Sequence, residues 1–212
     1  AYSEDSDPDA LASIVGQALT NASFAGEELH EMILPNSGKL ETDDALLHPE
    51  DGSLIEEKIE MALYLEGELS SRDKIKNVPY NGVLDSSGQR QVFTSSGMSA
   101  FSRSRVCLCY AYAIVEEGDK NAMEGSGVAS RLFGELDGAR VVDKVHRDCL
   151  GILHGVPVPS KHYDVVFDEE CQPSMFSIFA SIFSGKSAKD GVNPMRDKVG
   201  EVIADPRLTI HD

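Results

Sequence analysis

Basic residues are scarce: 19 Lys and Arg stand against 36 Asp and Glu in 212 residues, for a net charge of −17. A field of that sign repels phosphate backbones, and no basic cluster in the sequence offsets it, so general nucleic-acid binding is excluded. Long apolar runs are missing too. None reaches the roughly 18 residues that a spanning helix needs, and the opening AYSEDSDPDA has neither the basic flank nor the apolar stretch of an export signal. These absences lead to the expectation of a cytoplasmic protein with no membrane span. Cysteine is limited to Cys107, Cys109, Cys149 and Cys171, which in that compartment are reduced thiols rather than disulfides. No internal repeat or low-complexity segment occurs.

What is present suffices for a core. The chain is 41% hydrophobic and long enough for one medium domain or two small ones. Its acidity is uneven: residues 1–70 hold 17 acids and only Lys39 and Lys58, a net −15, so the remainder carries −2. Such a run reads first as a solvated face and second as a docking surface for a basic partner.

Asp7-Pro8 ahead of Leu11, Ile14, Val15, Ala18 and Leu19 predicts a helix with an Asp cap and proline at its first position. Residues 25–52 lack a sustained period and read as a long loop or as a segment leaning on another part of the protein. Ser53-Leu-Ile-Glu56 has capping-box spacing, and Ile59, Ala62, Leu63 and Leu69 continue a stripe, which predicts a helix over 54–70. From Lys74 the period becomes two. Strands are expected over 75–84, 89–95 and 101–116, with turns at Asp85–Gly88 and Ser95–Met98. In the last of these, Val106, Leu108, Tyr110, Tyr112 and Ile114 share one face and Cys107, Cys109, Ala111, Ala113 and Val115 the other, so both faces are expected to be covered. Glu116–Lys120 is a turn cluster. Residues 123–133 then return as a strand, with Gly125 and Gly127 marking a bulge or close approach. Val141, Val145, Cys149 and Ile152 form a helical stripe ending at Gly155, before Pro157 and Pro159. Beyond it come an expected strand over 163–168, an apolar helix through Met175, Phe176, Phe179, Ile182 and Phe183 closing at Gly185, a helix over 195–203 and a strand over 208–210. The expected class is α+β: helices plus an antiparallel β-meander over 1–155, then the start of a second α/β-type domain over 156–212.

Chemistry-bearing motifs are sparse. Ala180–Ser187 matches a phosphate-binding loop if its first glycine is relaxed to alanine, but Ile182 and Phe183 continue a helical stripe where a glycine-rich turn is required. Lys186 reads instead as a lysine at the C-terminal end of that helix. His30-Glu31 opens like a zinc-peptidase helix, yet Leu34 and Pro35 occupy the positions where a second histidine would complete the metal face. Cys107 and Cys109 are most simply buried small side chains. His154 and His162 have no nucleophile nearby in sequence. Glu116, Glu117 and Asp119 form an acidic turn that could attract a hard cation but reads as solvated.

The order of the segments resembles the TldD/PmbA family, known as modulators of DNA gyrase and as peptide-processing metalloproteases. The resemblance is carried by Tyr163-Asp-Val-Val-Phe-Asp168, Phe183-Ser-Gly185, Arg196-Asp-Lys-Val-Gly-Glu201 and Ala204-Asp-Pro-Arg-Leu-Thr-Ile-His-Asp212. Asn77-Val-Pro-Tyr-Asn81, Thr94-Ser-Ser-Gly97 and Glu116-Glu-Gly-Asp119 add to it, and together they look like the PmbA (TldE) branch. The resemblance implies a two-subunit zinc peptidase whose TldD-type subunit supplies His-Glu-x-x-x-His and a later cysteine. Aligned from Val165-Val166, that hexad falls on Ser177–Ile182: Ser177 and Ile182 stand at the histidine positions and Ile178 at the glutamate. The chain is therefore expected to be non-catalytic, with no catalytic or metal residue of its own and zinc in a TldD-type partner. The implied partners are that subunit, as a heterodimer, or a second copy as a homodimer, together with an unstructured peptide. The alternative is an interaction protein acting on DNA gyrase or a toxin–antitoxin system through the acidic region. The absence of an initial methionine and of the family's long C-terminal region leads to the expectation of a fragment.

Overall fold

The computed structural model describes residues 1–26, 32–33, 43–168 and 170–208. They fall into two units, Ala1–Val156 and Pro157–Asp212. The protein is mixed α+β, with helices and a three-stranded antiparallel sheet.

In the first unit, Pro8–Phe24 form α1, Asp44–Leu47 the single turn α2, and Ile55–Ser70 α3. The strands are β1, Ile75–Phe93, β2, Ser99–Glu117, and β3, Lys120–Ser130, paired in the order β1-β2-β3. Helix α4, Gly138–Leu153, follows a 3-10 turn at Phe133–Glu135. The caps explain the starts. An Asp7 carboxylate oxygen accepts from the Asp9 N–H at 2.9 Å, with Pro8 in the first helical position, and Asp137 accepts from the Arg140 N–H at 2.9 Å; each satisfies an otherwise unpaired donor. In α3 the expected box moves by one residue: Leu54 is the cap position, and the Glu57 carboxylate, not Glu56, accepts from its N–H at 2.7 Å.

The core lies on one side of the sheet. Cys107, Cys109, Ala111, Ala113 and Val115 of β2 are fully buried beneath Leu65 and Leu69 of α3 and Val141, Val142, Val145 and Cys149 of α4. Small Cys and Ala side chains keep that strand face low, so two helices pack on it closely. Each fully buried leucine or valine contributes about 1.5–3 kcal/mol. The α4 stripe is the expected one at Val141, Val145 and Cys149 and differs only at its end, whereas α3 is rotated from its expected stripe. In α3, Leu65 and Leu69 face the sheet while Ile59 and Leu63 are exposed, and in α4 Leu153 is buried while Ile152 is exposed. The α1 helix starts as expected, with Asp7 as cap and Pro8 in the first position, but none of its residues is buried.

Three expectations for this unit are corrected. Asp85–Gly88 is not a turn: Asp85 pairs with Cys107 and Gly88 with Ser104, and β1 runs on through Phe93. The Asp85 carboxylate is held by Lys58 at 2.5 Å and by Arg105 at 2.7 Å, so it does not cap a local turn, and the ladder satisfies the backbone instead. The 25–52 segment is not loop throughout: among its described residues Asp44–Leu47 form α2, and its end leans on the sheet, as the second reading of this segment expected. Arg103 pairs with Asp44 at 3.1 Å, His48 Nε2 lies 2.7 Å from Ser87 Oγ, and Arg131 donates to the Leu46 carbonyl at 3.3 Å. Asp51, with a side chain only 6% exposed, accepts from the Phe133 N–H at 2.8 Å and lies 3.4 Å from Arg105. The third correction is that the two faces of β2 are not both covered, as described below.

The second unit contains α5, Cys171–Phe179, a 3-10 turn at Ala180–Phe183, and α6, Gly185–Lys189. Tyr163–Asp168 is not a strand; Val165 and Val166 are exposed, and no strand occurs among the described residues of this unit to accept their hydrogen bonds. Residues 195–203 form turns rather than a helix. Asn193, buried, donates to the Ile182 carbonyl at 2.9 Å and accepts from the Met195 N–H at 2.8 Å, and Gly200 at φ 87° interrupts any helical run. Leu208 is in no strand, and Thr209 and Ile210 lie outside the described residues. Lys186 belongs to its own short helix, begun by the Ser184 hydroxyl accepting from the Ser187 N–H at 3.2 Å, and not to the end of the preceding one. No helix of the described residues is long and apolar enough to cross a membrane.

Candidate functional site: an open apolar sheet face

The face of the sheet opposite α3 and α4 is apolar and open. Across it run the rungs Leu84–Leu108–Ala129, Gly82–Tyr110–Gly127 and Tyr80–Tyr112–Gly125. Tyr80, Leu84, Val106, Tyr112 and Met123 are all exposed. The glycines are what shape this surface. A Cβ on Gly125 would lie 2.3 Å from the Tyr112 ring, and one on Gly127 would lie 3.1 Å from Tyr110 Cβ. The Tyr112 ring therefore lies across bare backbone, where any larger residue would displace it. Tyr80 and Tyr112 meet edge to face with centroids 6.2 Å apart, and Tyr110 and Tyr112 at 6.5 Å. The result is a groove of about 500 Å³ lined by Leu108, Tyr110, Tyr112, Ser126, Gly127 and Ala129, within the range of small-ligand sites. Sequence alternation located this face, and the glycines flagged the close approach. What alternation could not decide was which of two apolar faces the helices would cover.

Ser177, Ile178 and Ile182 lie on another part of the chain. Ser177 is in the last turn of α5, and its hydroxyl donates to the Ser174 carbonyl at 2.7 Å. Ile178 is exposed, and Ile182 lies in the 3-10 turn, where its carbonyl accepts from Asn193. Neither isoleucine has a donor atom for a metal, so the set does not fit a zinc ion. Among the described residues no group of three or more His, Cys, Asp or Glu is placed to hold one.

The remaining motifs resolve individually. His30-Glu31 lies outside the described residues. Cys107, Cys109 and Cys149 are buried, Cys171 is exposed, and none is in a disulfide. Burial pushes the Cys107, Cys109 and Cys149 thiols up, away from the reactive thiolate. Glu117 is paired with Lys74 at 2.8 Å and with His154 at 3.1 Å, and Glu116 with Lys76. Glu116 and Glu117 of the acidic turn are thus already engaged by side chains of the chain itself. The Lys74 ammonium and then the His154 ring hold the Glu117 carboxyl below its ordinary range.

The fold and this face define a two-layer α+β unit with one side left open, followed by a second, helical unit. Comparison with family models matches residues 49–148 to the PmbA/TldA metallopeptidase central domain and residues 160–212 to the PmbA/TldA metallopeptidase C-terminal domain. The chain belongs to the PmbA/TldD family. Solved structures give the same fold. A candidate modulator of DNA gyrase from Bacteroides thetaiotaomicron has a TM-score of 0.81 at 19% identity, over 97% of this chain and 48% of that one. A second candidate gyrase modulator, from Thermotoga maritima, has 0.71 at 17%, over 90% and 44%. TldE from Thermococcus kodakarensis has 0.70 at 20%, over 96% and 46%. This chain therefore spans about half the length of those structures. A comparison with curated proteins finds no match.

Proposed function

We propose that this chain is a PmbA/TldE-like, non-catalytic subunit of a two-subunit metallopeptidase that acts on unstructured peptides in the cytoplasm, with zinc held by a TldD-type partner. The observation that carries the reading is chemical: Ser177, Ile178 and Ile182 occupy the positions aligned with the zinc hexad, and they offer neither imidazole nor carboxylate. The subunit's part is to shape the cleft and to present strand edges, β1 and β3, to which an extended peptide adds by backbone hydrogen bonds. The test is cleavage of an unstructured peptide by a TldD-type subunit with and without this chain. Acceleration on mixing is expected, and a partner that cleaves equally fast alone would overturn the reading.

A second reading, an interaction protein acting on DNA gyrase or a toxin–antitoxin system, is favoured by the exposed Glu56, Glu57, Glu60, Glu66 and Glu68 on α3. Docking through them would weaken steeply with ionic strength, whereas backbone addition to a strand would barely respond. A salt titration of complex formation separates the two.

A further inference from the structure

We infer that the open sheet face selects the peptide: it takes an extended, uncharged, apolar segment about eight residues long. The inference rests on the peptidase-subunit reading and names its substrate class.

Charge is the first argument. Between the Ser86–Val106 pair at one end and the Ile114–Met123 pair at the other, this face of the three strands carries no Asp, Glu, Lys, Arg or His. In a chain of net charge −17, such a strip offers no counter-charge to a charged side chain. A lysine or glutamate laid on it would lose hydration with no counter-charge to replace it, whereas aliphatic and aromatic side chains would gain from burial against Leu108, Tyr110 and Tyr112.

Area is the second. From Val106 to Ile114 the face is about 27 Å long at ~3.3 Å per residue, and three strands make it about 10 Å wide. A footprint on the order of 300 Å² falls well short of the roughly 800 Å² per partner that a stable dimer buries. A second copy docked here would be too weakly held. One extended strand of about eight residues matches the length and needs no more width. The glycines supply the depth: Gly125 seats the Tyr112 ring low against the backbone, and Gly127 lines the groove without a side chain. Tyrosines offer large contact areas with little side-chain entropy to lose.

The test uses the full chain and two dye-labelled, unstructured eight-residue peptides. One is uncharged, with aromatic and aliphatic residues at alternate positions; its twin has glutamate at those positions. Anisotropy titration is expected to show the apolar peptide binding at least about tenfold more tightly than its twin. Tyr112→Ser and Leu84→Lys should each lower that affinity about tenfold, while Ile152→Ser on α4 should leave it unchanged. Leu84 is exposed, so its replacement keeps the test valid if Tyr112→Ser fails to fold. Equal binding of the two peptides, binding of neither, or full binding by both face variants would overturn the inference. Cleavage of both peptides by the TldD-type partner, with and without this chain, keeps the two readings apart. Equal acceleration of both would sink selection by the face and leave the subunit role standing; acceleration of neither would sink the subunit role, and the titration would still decide the face.

Discussion

The two faces of strand β2 have nearly the same apolarity and opposite fates. Cys107, Cys109, Ala111, Ala113 and Val115 are fully buried under two helices, while Val106 and Tyr112, their neighbours in sequence, are exposed. The difference is one of size rather than hydrophobicity. Small side chains let α3 and α4 approach the backbone, and among the described residues no helix covers the bulkier set on the other side. One face therefore carries stability, and the other is the face proposed for peptide binding. Substitutions should separate the two.

The largest expected effect is on the covered face. Leu69→Ala removes a fully buried side chain at the α3–sheet contact and should cost about 2–5 kcal/mol, read as a lower midpoint in urea at constant slope. A loss below about 1 kcal/mol would mean that this layer is looser than its burial implies.

Next comes the ionic clasp along the edge of the covered face. Asp51→Asn removes the charge that the Phe133 N–H and Arg105 share and should cost about 1.5–3 kcal/mol. Its pH signature follows from sign. The Phe133 N–H holds the Asp51 carboxyl below the ordinary range, and the Lys58 ammonium does the same for Asp85. A folded value below the unfolded one gives stability that is complete above about pH 4 and is lost as pH falls through the folded values. Urea midpoints between about pH 2 and 6 should therefore rise with pH in the natural chain and rise less in Asp51→Asn. Parallel profiles would show that the clasp does not contribute to folding.

On the open face the expectation reverses. Tyr112→Ser should cost only about 1 kcal/mol, since the ring is partly exposed and its losses are two edge-to-face contacts and its seat on Gly125. Gly125→Ala, which adds a single methyl, should cost more, about 1–3 kcal/mol, because that methyl would collide with the ring. If the order were the other way round, the tyrosine would be a core residue and the face would be structural.

Much of this was legible in the sequence, and the failures share a cause. The turns at Ser95–Met98 and Glu116–Lys120, the Asp7-Pro8 helix start and the α4 helix were legible because local chemistry sets them: turn residues, caps and a period. The choice of face on β2, the rotation of α3 away from Ile59 and Leu63, and the passage of β1 through Asp85–Gly88 were not. Each is decided by a residue far off in the chain: α4 against the sheet, Leu65 against β2, Lys58 and Arg105 against Asp85. In the second unit, 163–168 has the composition of a buried strand, but no strand occurs among the described residues of that unit.

The smallest expected effect is on the second unit, where the described residues bury one side chain, that of Asn193. Restoring the hexad residues with Ser177→His, Ile178→Glu and Ile182→His should leave the chain without stoichiometric zinc, measured by metal analysis after dialysis. The reason is geometric. Residues 177 and 182 are five apart, about 140° around a regular α-helix at 100° per residue. Here the α-helix stops at Phe179 and Ala180–Phe183 is a 3-10 turn, which advances about 120° per residue and carries the second position to roughly the opposite side of the axis from the first. Two imidazoles so placed cannot close on one tetrahedral ion. Ile178 is already exposed, so the glutamate adds no strain, and the stability change should stay within about 1 kcal/mol. Tight, equimolar zinc in this variant would show that the segment reforms a continuous helix once ligands are present, and that the isoleucines, not the backbone, keep the metal out.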